Sequence, residues 1–190
     1  MPTPVSGSPP TGPFDAAAWQ ERLTELMRRH RVPGATLGVL HDGTITETAA
    51  GILSTATGVA VTPDSLFQIG SITKVWTATL VMQLVDEGAL DLDAPVAEVL
   101  PGFRVADPAV TEQVTTRHLL THTSGIDGDV FTDTGRGDEC IERYVAGMKD
   151  VVQNHPLGAT FSYCNAGYVL AGRIVEHLTG LTGTGRFASA

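Results

Sequence analysis

The apolar positions of this chain change period along its length. In residues 14–31, Trp19, Leu23, Leu26 and Met27 recur at i, i+4, i+7 and i+8. That is one face of a 3.6-residue turn, so a helix is predicted. Asp15 is its expected N-cap, and Pro33-Gly34 ends it. Residues 35–41 and 44–51 then alternate or run apolar and read as two strands joined by Asp42-Gly43. A two-residue Asp-Gly link predicts a hairpin, because a type I′ turn needs positive φ at both central positions. Two strands need further strands or a helix cover to be stable, and would otherwise leave an open edge.

Past a Thr/Ser/Gly stretch at 52–64, residues 71–87 form the most apolar segment. Val75, Trp76, Leu80, Val81, Met82, Leu84 and Val85 cover nearly the whole circumference of a helix, which places it inside a domain with Trp76 in the core. Gly88 supplies the stop. Residues 91–100 read as a short helical or extended link. Residues 115–121 read as a short helix capped by Thr116, and 125–138 as a Gly/Asp/Thr loop. Residues 141–153 and 165–179 are predicted as helices, the last with Tyr168, Val169, Ala171, Ile174, Val175 and Leu178 apolar.

Composition narrows the function classes. The chain has 190 residues, 12 basic and 21 acidic, for a net charge of −9. Without clustered positive charge it is a poor nucleic-acid binder. It has no basic amphipathic face for a membrane surface, and no apolar run long enough to span one. At 42% the apolar share argues for a packed core over disorder. Residues 1–13 lack a positive region and an apolar stretch, so they read as a flexible tail, not a secretory signal, and a cytoplasmic setting is the default. Cys140 and Cys164 make neither a disulfide framework nor a metal quartet.

Two short motifs carry the chemistry. Ser71-Ile72-Thr73-Lys74 opens the apolar helix, and residues i and i+3 of a helix lie one turn apart on the same face. Lys74 would then lie against the Ser71 hydroxyl and take its proton, while first-turn N–H groups steady an oxyanion. The plain structural alternative is a capping serine and a snorkelling lysine. Tyr163-Cys164-Asn165 opens the last helix. A phenol normally titrates near 10, too high for a base at neutral pH, but an adjacent ammonium favours phenolate. Asn165 could donate to a substrate carbonyl and accept from Lys74. Here the plain alternative is a buried tyrosine followed by an asparagine cap.

Together the motifs bring out a resemblance. The sequence is similar to the serine β-lactamase and penicillin-binding-protein superfamily, in the branch with Y-x-N as second motif. That branch holds class C β-lactamases, D-alanyl-D-alanine carboxypeptidases and related esterases. Further segments agree: VPGA at 32–35, TPDSLFQIGS at 62–71, QLVDEGALDLD at 83–93, RHLLTHTSG at 117–125 and NAGYVLAGR at 165–173. The likeness runs from about Trp19 to Leu181. It implies an α/β (α+β) β-lactamase/transpeptidase-like fold, an antiparallel sheet with a helical region. It also implies a nucleophile at Ser71, a general-base role shared by Lys74 and Tyr163, and substrate orientation by Asn165. No metal or organic cofactor is implied. The partner would be a small ester, D-Ala peptide, amide or β-lactam.

The pattern also breaks. The family's third motif, K-T-G or H-x-G on a strand across the cleft, would supply the second oxyanion N–H. No K-T-G occurs, and the H-x-G at His41-Asp42-Gly43 precedes Ser71 and falls in the hairpin turn. The likeness stops after Leu181, and 182–190 reads as the unstructured end of a truncated chain. The expectation is therefore a partial domain over 14–181 holding the N-terminal strands and the helical part. The leading function is a serine hydrolase acting through an acyl-enzyme. The alternative is a catalytically inactive fragment or weak ligand-binding module, or a subunit that self-associates through its sheet edge. His118 and His122 stand at a metal-ligand spacing, but Leu119 occupies the place where an H-E-x-x-H site needs Glu, and no third ligand is evident. Helix-end capping and core packing are expected of them. Asp127, Asp129, Asp133, Asp138 and Glu139 read as a solvated rim, and Cys164 as buried and inert.

Overall fold

The computed structural model describes residues 15–181. Phe14 and the expected tails at 1–13 and 182–190 lie outside the described residues. By contact the chain divides into two compact units, Met1–Gln68 and Ile69–Ala190.

The first unit is a helix and a hairpin. Helix α1 spans Ala16–His30, and the Asp15 carboxylate accepts from the N–H groups of Ala17 and Ala18 at 3.0 and 3.2 Å. Strand β1, Gly34–His41, pairs antiparallel with β2, Thr44–Gly51, in a register running from Gly34↔Gly51 to His41↔Thr44. Asp42 and Gly43 have φ of 46° and 75°, the positive values that a type I′ turn demands. Helix α1 covers one face of β2, where Gln20 Nε2 donates to the Ala49 carbonyl at 2.9 Å. Met27, Thr48 and Ala50 are buried in this unit.

The second unit is helical. A 3₁₀ turn at Gly70–Ile72 leads into α2, Thr73–Asp86. Helices α3 (Val96–Val99), α4 (Pro108–Gln113), α5 (Thr116–Leu120) and α6 (Cys140–Gly147) follow, then a 3₁₀ turn at Met148–Asp150 and α7, Asn165–Thr179. Helix α7 packs against α2, α5 and α6, and its Leu170, Ala171 and Ile174 are fully buried. Val81, Leu84, Leu119, Val145 and Met148 are buried in the same core. No helix among the described residues is long and apolar enough to cross a membrane.

The structure departs from the sequence expectations at several elements. Ser71 lies in the 3₁₀ turn, one residue-pair ahead of the α-helix proper. Helix α2 buries Leu80, Val81 and Leu84, whereas Val75, Trp76 and Met82 are exposed, Trp76 by 56%. An all-round apolar pattern cannot tell which face finds a partner; here the face toward α7 does. The cap of α5 is Thr115, not Thr116: its hydroxyl accepts from the His118 N–H while the His118 ring accepts from the Thr115 N–H. Residues 91–100 hold only the single turn of α3. The helix expected over 141–153 stops at Gly147, because residues 151–153 are drawn out to bridge with Ile126. Helix α4 went unpredicted, although Asp107 followed by Pro108 is a cap and first-turn signal.

Leu170 anchors the helix that the other elements pack on. Leu170→Ala should lower stability by about 2–5 kcal/mol. Urea unfolding followed by circular dichroism would measure it, and a loss under about 1 kcal/mol would mean that α7 is not the centre of this core.

Candidate active site

The site begins where the chain turns into α2. The turn places Ser71 about one helical turn before Lys74, and Lys74 Nζ donates to Ser71 Oγ at 3.1 Å. The same ammonium donates to Asn165 Oδ1 at 2.8 Å, linking the start of α2 to the start of α7 across 91 residues of sequence. Among the described residues no carboxylate lies within ion-pair distance of Lys74. Instead its Nζ sits 4.9 Å from the centre of the Tyr163 ring and 5.7 Å from that of Tyr168.

Residues 122–128 hold Tyr163 in place as a backbone rail. The His122 carbonyl accepts from the Ser162 N–H at 2.8 Å, and the Gly128 carbonyl accepts from the N–H groups of Asn165 and Ala166 at 3.2 and 3.3 Å. The last two bonds satisfy donors that a helix start leaves free. The Cys164 Sγ accepts from the Gly167 N–H at 3.2 Å as the side-chain cap of α7. Close approach requires glycine at 128, since a Cβ there would meet Cys164 Cα at 2.6 Å and the Tyr163 carbonyl oxygen at 2.7 Å. The rail is braced from behind, where Asp127 N–H donates to the Val152 carbonyl and Gln153 Nε2 donates to that of Ser124.

The electrostatics follow from Lys74. Hydrogen bonding to Lys74, and then to Ser71, holds the Tyr163 phenol below its ordinary value of 10.0, aided by the Lys74 charge and opposed by desolvation. Burial pushes the Tyr168 phenol the other way, and its hydroxyl donates to the Leu120 carbonyl at 3.0 Å. Two tyrosines that flank one ammonium therefore have opposite tendencies: Tyr163 is prepared to lose a proton and Tyr168 to keep it. Burial likewise raises the Cys164 thiol, which suits a structural cap. A cavity of about 420 Å³ borders Ser71, Lys74 and Asn165, so these groups face open space.

The structure thus brings Ser71, Lys74, Tyr163 and Asn165 together. The other candidates lie elsewhere. His118 serves the α5 cap, and no group of three metal-ligating side chains occurs among the described residues. Asp127 and Asp133 each accept a backbone N–H two residues on, as turn-forming acids do. His41 occupies the end of β1 in the first unit, with its side chain 60% exposed. Sequence reasoning missed Gly128, Tyr168 and the part played by His122. The RHLLTHTSG run drew attention to His122, but nothing in it reveals that His122 faces Tyr163.

The His122 imidazole is held below its ordinary 6.5 by burial first and the Lys74 charge second. His118 is held down chiefly by burial. A base whose folded pKa is depressed takes up protons more readily when unfolded. Its stabilisation is therefore complete above pH 6.5 and is lost as pH falls through the depressed values. Urea midpoints taken from about pH 7.5 to about pH 5 should fall on acidification. A flat profile would contradict the burial of these rings.

The chain is 58% identical over 168 residues to penicillin-binding protein 4 of Amycolatopsis lactamdurans, covering 88% of this chain and 44% of that relative. Among solved structures it is similar to SurE with D-Leu, at TM-score 0.74 and 40% identity, covering 88% of this chain and 37% of that one. It is also similar to the D-amino acid amidase of Ochrobactrum anthropi SV3 complexed with L-phenylalanine, at TM-score 0.74 and 29% identity, covering 91% and 47%. The chain therefore spans less than half the length of each of these relatives. The sequence model of the Beta-lactamase family matches residues 19–189, nearly the whole chain, and the chain belongs to that family.

Proposed function

We propose that this chain carries a serine acyl-transfer site for D-configured amides and peptides or for β-lactams. The observation that carries the reading is the bonded set at the two helix starts. One ammonium is shared by Ser71 Oγ and Asn165 Oδ1, beside a phenol drawn toward ionisation. The substrate class draws on the relatives, one a penicillin-binding protein by name, one holding D-Leu and one a D-amino acid amidase.

In this reading the labour is divided among the side chains of that set. Lys74 as an ammonium has donors and no acceptor, and two of its donors are engaged. Tyr163 Oη is then the group that takes the Ser71 proton. Ser71 Oγ bonds to the substrate carbonyl carbon, and the C–N bond breaks as Tyr163 returns the proton to the leaving nitrogen. Water later attacks the Ser71 ester by the same proton path in reverse. The Ser71 backbone N–H would face the oxyanion, since the next two N–H groups, of Ile72 and Thr73, already donate to the Ile69 and Gly70 carbonyls. Asn165 holds Lys74 with its oxygen and leaves its amide N–H₂ for the substrate.

A second reading is a non-catalytic module of the same fold.

One reagent separates the two readings. A fluorophosphonate should add once to the folded wild-type chain by intact mass, and not at all to Ser71→Ala. Tyr163→Phe should slow the addition by ~10²–10⁴-fold. The wild-type rate should climb with pH and level off below pH 10.0, because the phenolate forms earlier than in a free tyrosine. A wild-type chain that melts cooperatively yet takes no label would leave the non-catalytic reading standing.

A further inference from the structure

We infer that His122 is the positioning residue of Tyr163: its ring nitrogen and its backbone carbonyl clamp the residues on either side of the tyrosine and aim the phenol at Ser71 and Lys74. The inference rests on the proposed role of Tyr163 as the proton carrier.

The clamp is visible in two hydrogen bonds from one residue. The Ser162 N–H donates to the His122 carbonyl at 2.8 Å, and the Cys164 N–H donates to His122 Nδ1 at 3.0 Å. Residues 162 and 164 are thus both tied to His122, and residue 163 between them has its backbone fixed while its side chain stays half exposed. The ring adds a second constraint. It lies against the Tyr163 ring at 4.5 Å between centroids and 31° between planes, and against Tyr168 at 5.1 Å and 34°. Phe161 meets it edge-on at 5.4 Å. Three aromatic side chains therefore hold one imidazole that is only 9% exposed.

The backbone conformation fits a selected role. His122 has φ of 58°, a left-handed value that non-glycine residues adopt rarely, histidine and asparagine among the more frequent. In that conformation one residue turns both its carbonyl and its Nδ1 toward the same neighbouring segment. Acceptance at Nδ1 requires that nitrogen to be unprotonated, so the ring is neutral with its proton on Nε2. The groups facing the imidazole agree with this. Lys74 of α2 repels a second positive charge, and Tyr163, Tyr168 and Cys164 present no carboxylate to hold one. The same neutral ring leaves the Lys74 charge undiluted for the phenol.

The clamp can be tested through Tyr163 itself. The chain has three tyrosines, so [¹³Cζ]tyrosine labelling gives resolvable signals, with Tyr163→Phe to assign the one that matters. His122→Phe keeps the ring between the tyrosines and removes the acceptor. His122→Asn puts an acceptor oxygen near the position of Nδ1 and tolerates the left-handed backbone. With a folded His122→Phe chain, acylation by fluorophosphonate should slow by ~10–100-fold, and the Tyr163 midpoint should move up toward the usual value near 10. His122→Asn should restore both to within about three-fold of wild type. An unchanged Tyr163 midpoint in His122→Phe, or an Asn variant no better than the Phe variant, would overturn the inference. If His122→Phe does not fold, the wild-type ring ¹⁵N shifts decide, where a proton on Nδ1 refutes the clamp and a bare Nδ1 supports it. If the wild-type chain takes no fluorophosphonate, the proposed function fails, and the clamp is still judged on the Tyr163 midpoint.

Discussion

The Gly128 carbonyl receives the first two N–H groups of α7, and the rest of the site depends on that contact. A helix start needs acceptors, and here a backbone oxygen from a distant loop provides them alongside the Cys164 cap. The bond is short enough to form only because residue 128 has no side chain. It fixes where α7 begins, and with that the direction of Asn165 and of the residues just before it. The core beneath α7 then holds the position: Leu119, Leu170 and Ile174 are fully buried around it.

Above that frame the chemistry is governed by one charge. Lys74 has no carboxylate partner among the described residues, so its ammonium is spent on the serine, the asparagine and the faces of two tyrosines. In a partly desolvated site such a charge is felt more strongly than in water. It draws the exposed phenol of Tyr163 toward ionisation, and it adds to burial, the larger cause, in holding the His122 imidazole below its ordinary 6.5. Burial and a carbonyl partner hold Tyr168 protonated despite the same neighbour. Chemically similar side chains are thus set to different states by exposure and by what they bond.

The elements that sequence reasoning placed well are those whose signals are local. The Asp15 cap, the Asp42-Gly43 turn and the limits of α7 are each written in a few adjacent residues, and each occurs as expected. The errors came where a partner decides. Trp76 lies on a helix that is apolar on every side, and only packing against α7 selects the face that is buried. The run through 141–153 has helical composition, yet its end is taken up by a bridge to Ile126. The RHLLTHTSG run marks His122 without revealing its contacts, because the residues it clamps lie some forty positions away.

By itself the sequence determined the chemical set of this protein: a serine and a lysine one helical turn apart, and a tyrosine and an asparagine around a cap. Spacing along a helix or turn converts directly into geometry, which made those residues candidates, and the resemblance to a known family set them above the plain readings of a cap and a snorkelling lysine. Only the tertiary structure decided that one ammonium joins both sets, which tyrosine is drawn toward phenolate, and which loop holds it there. Those outcomes depend on distance, burial and backbone bonds between segments far apart in the chain, and no local pattern encodes them.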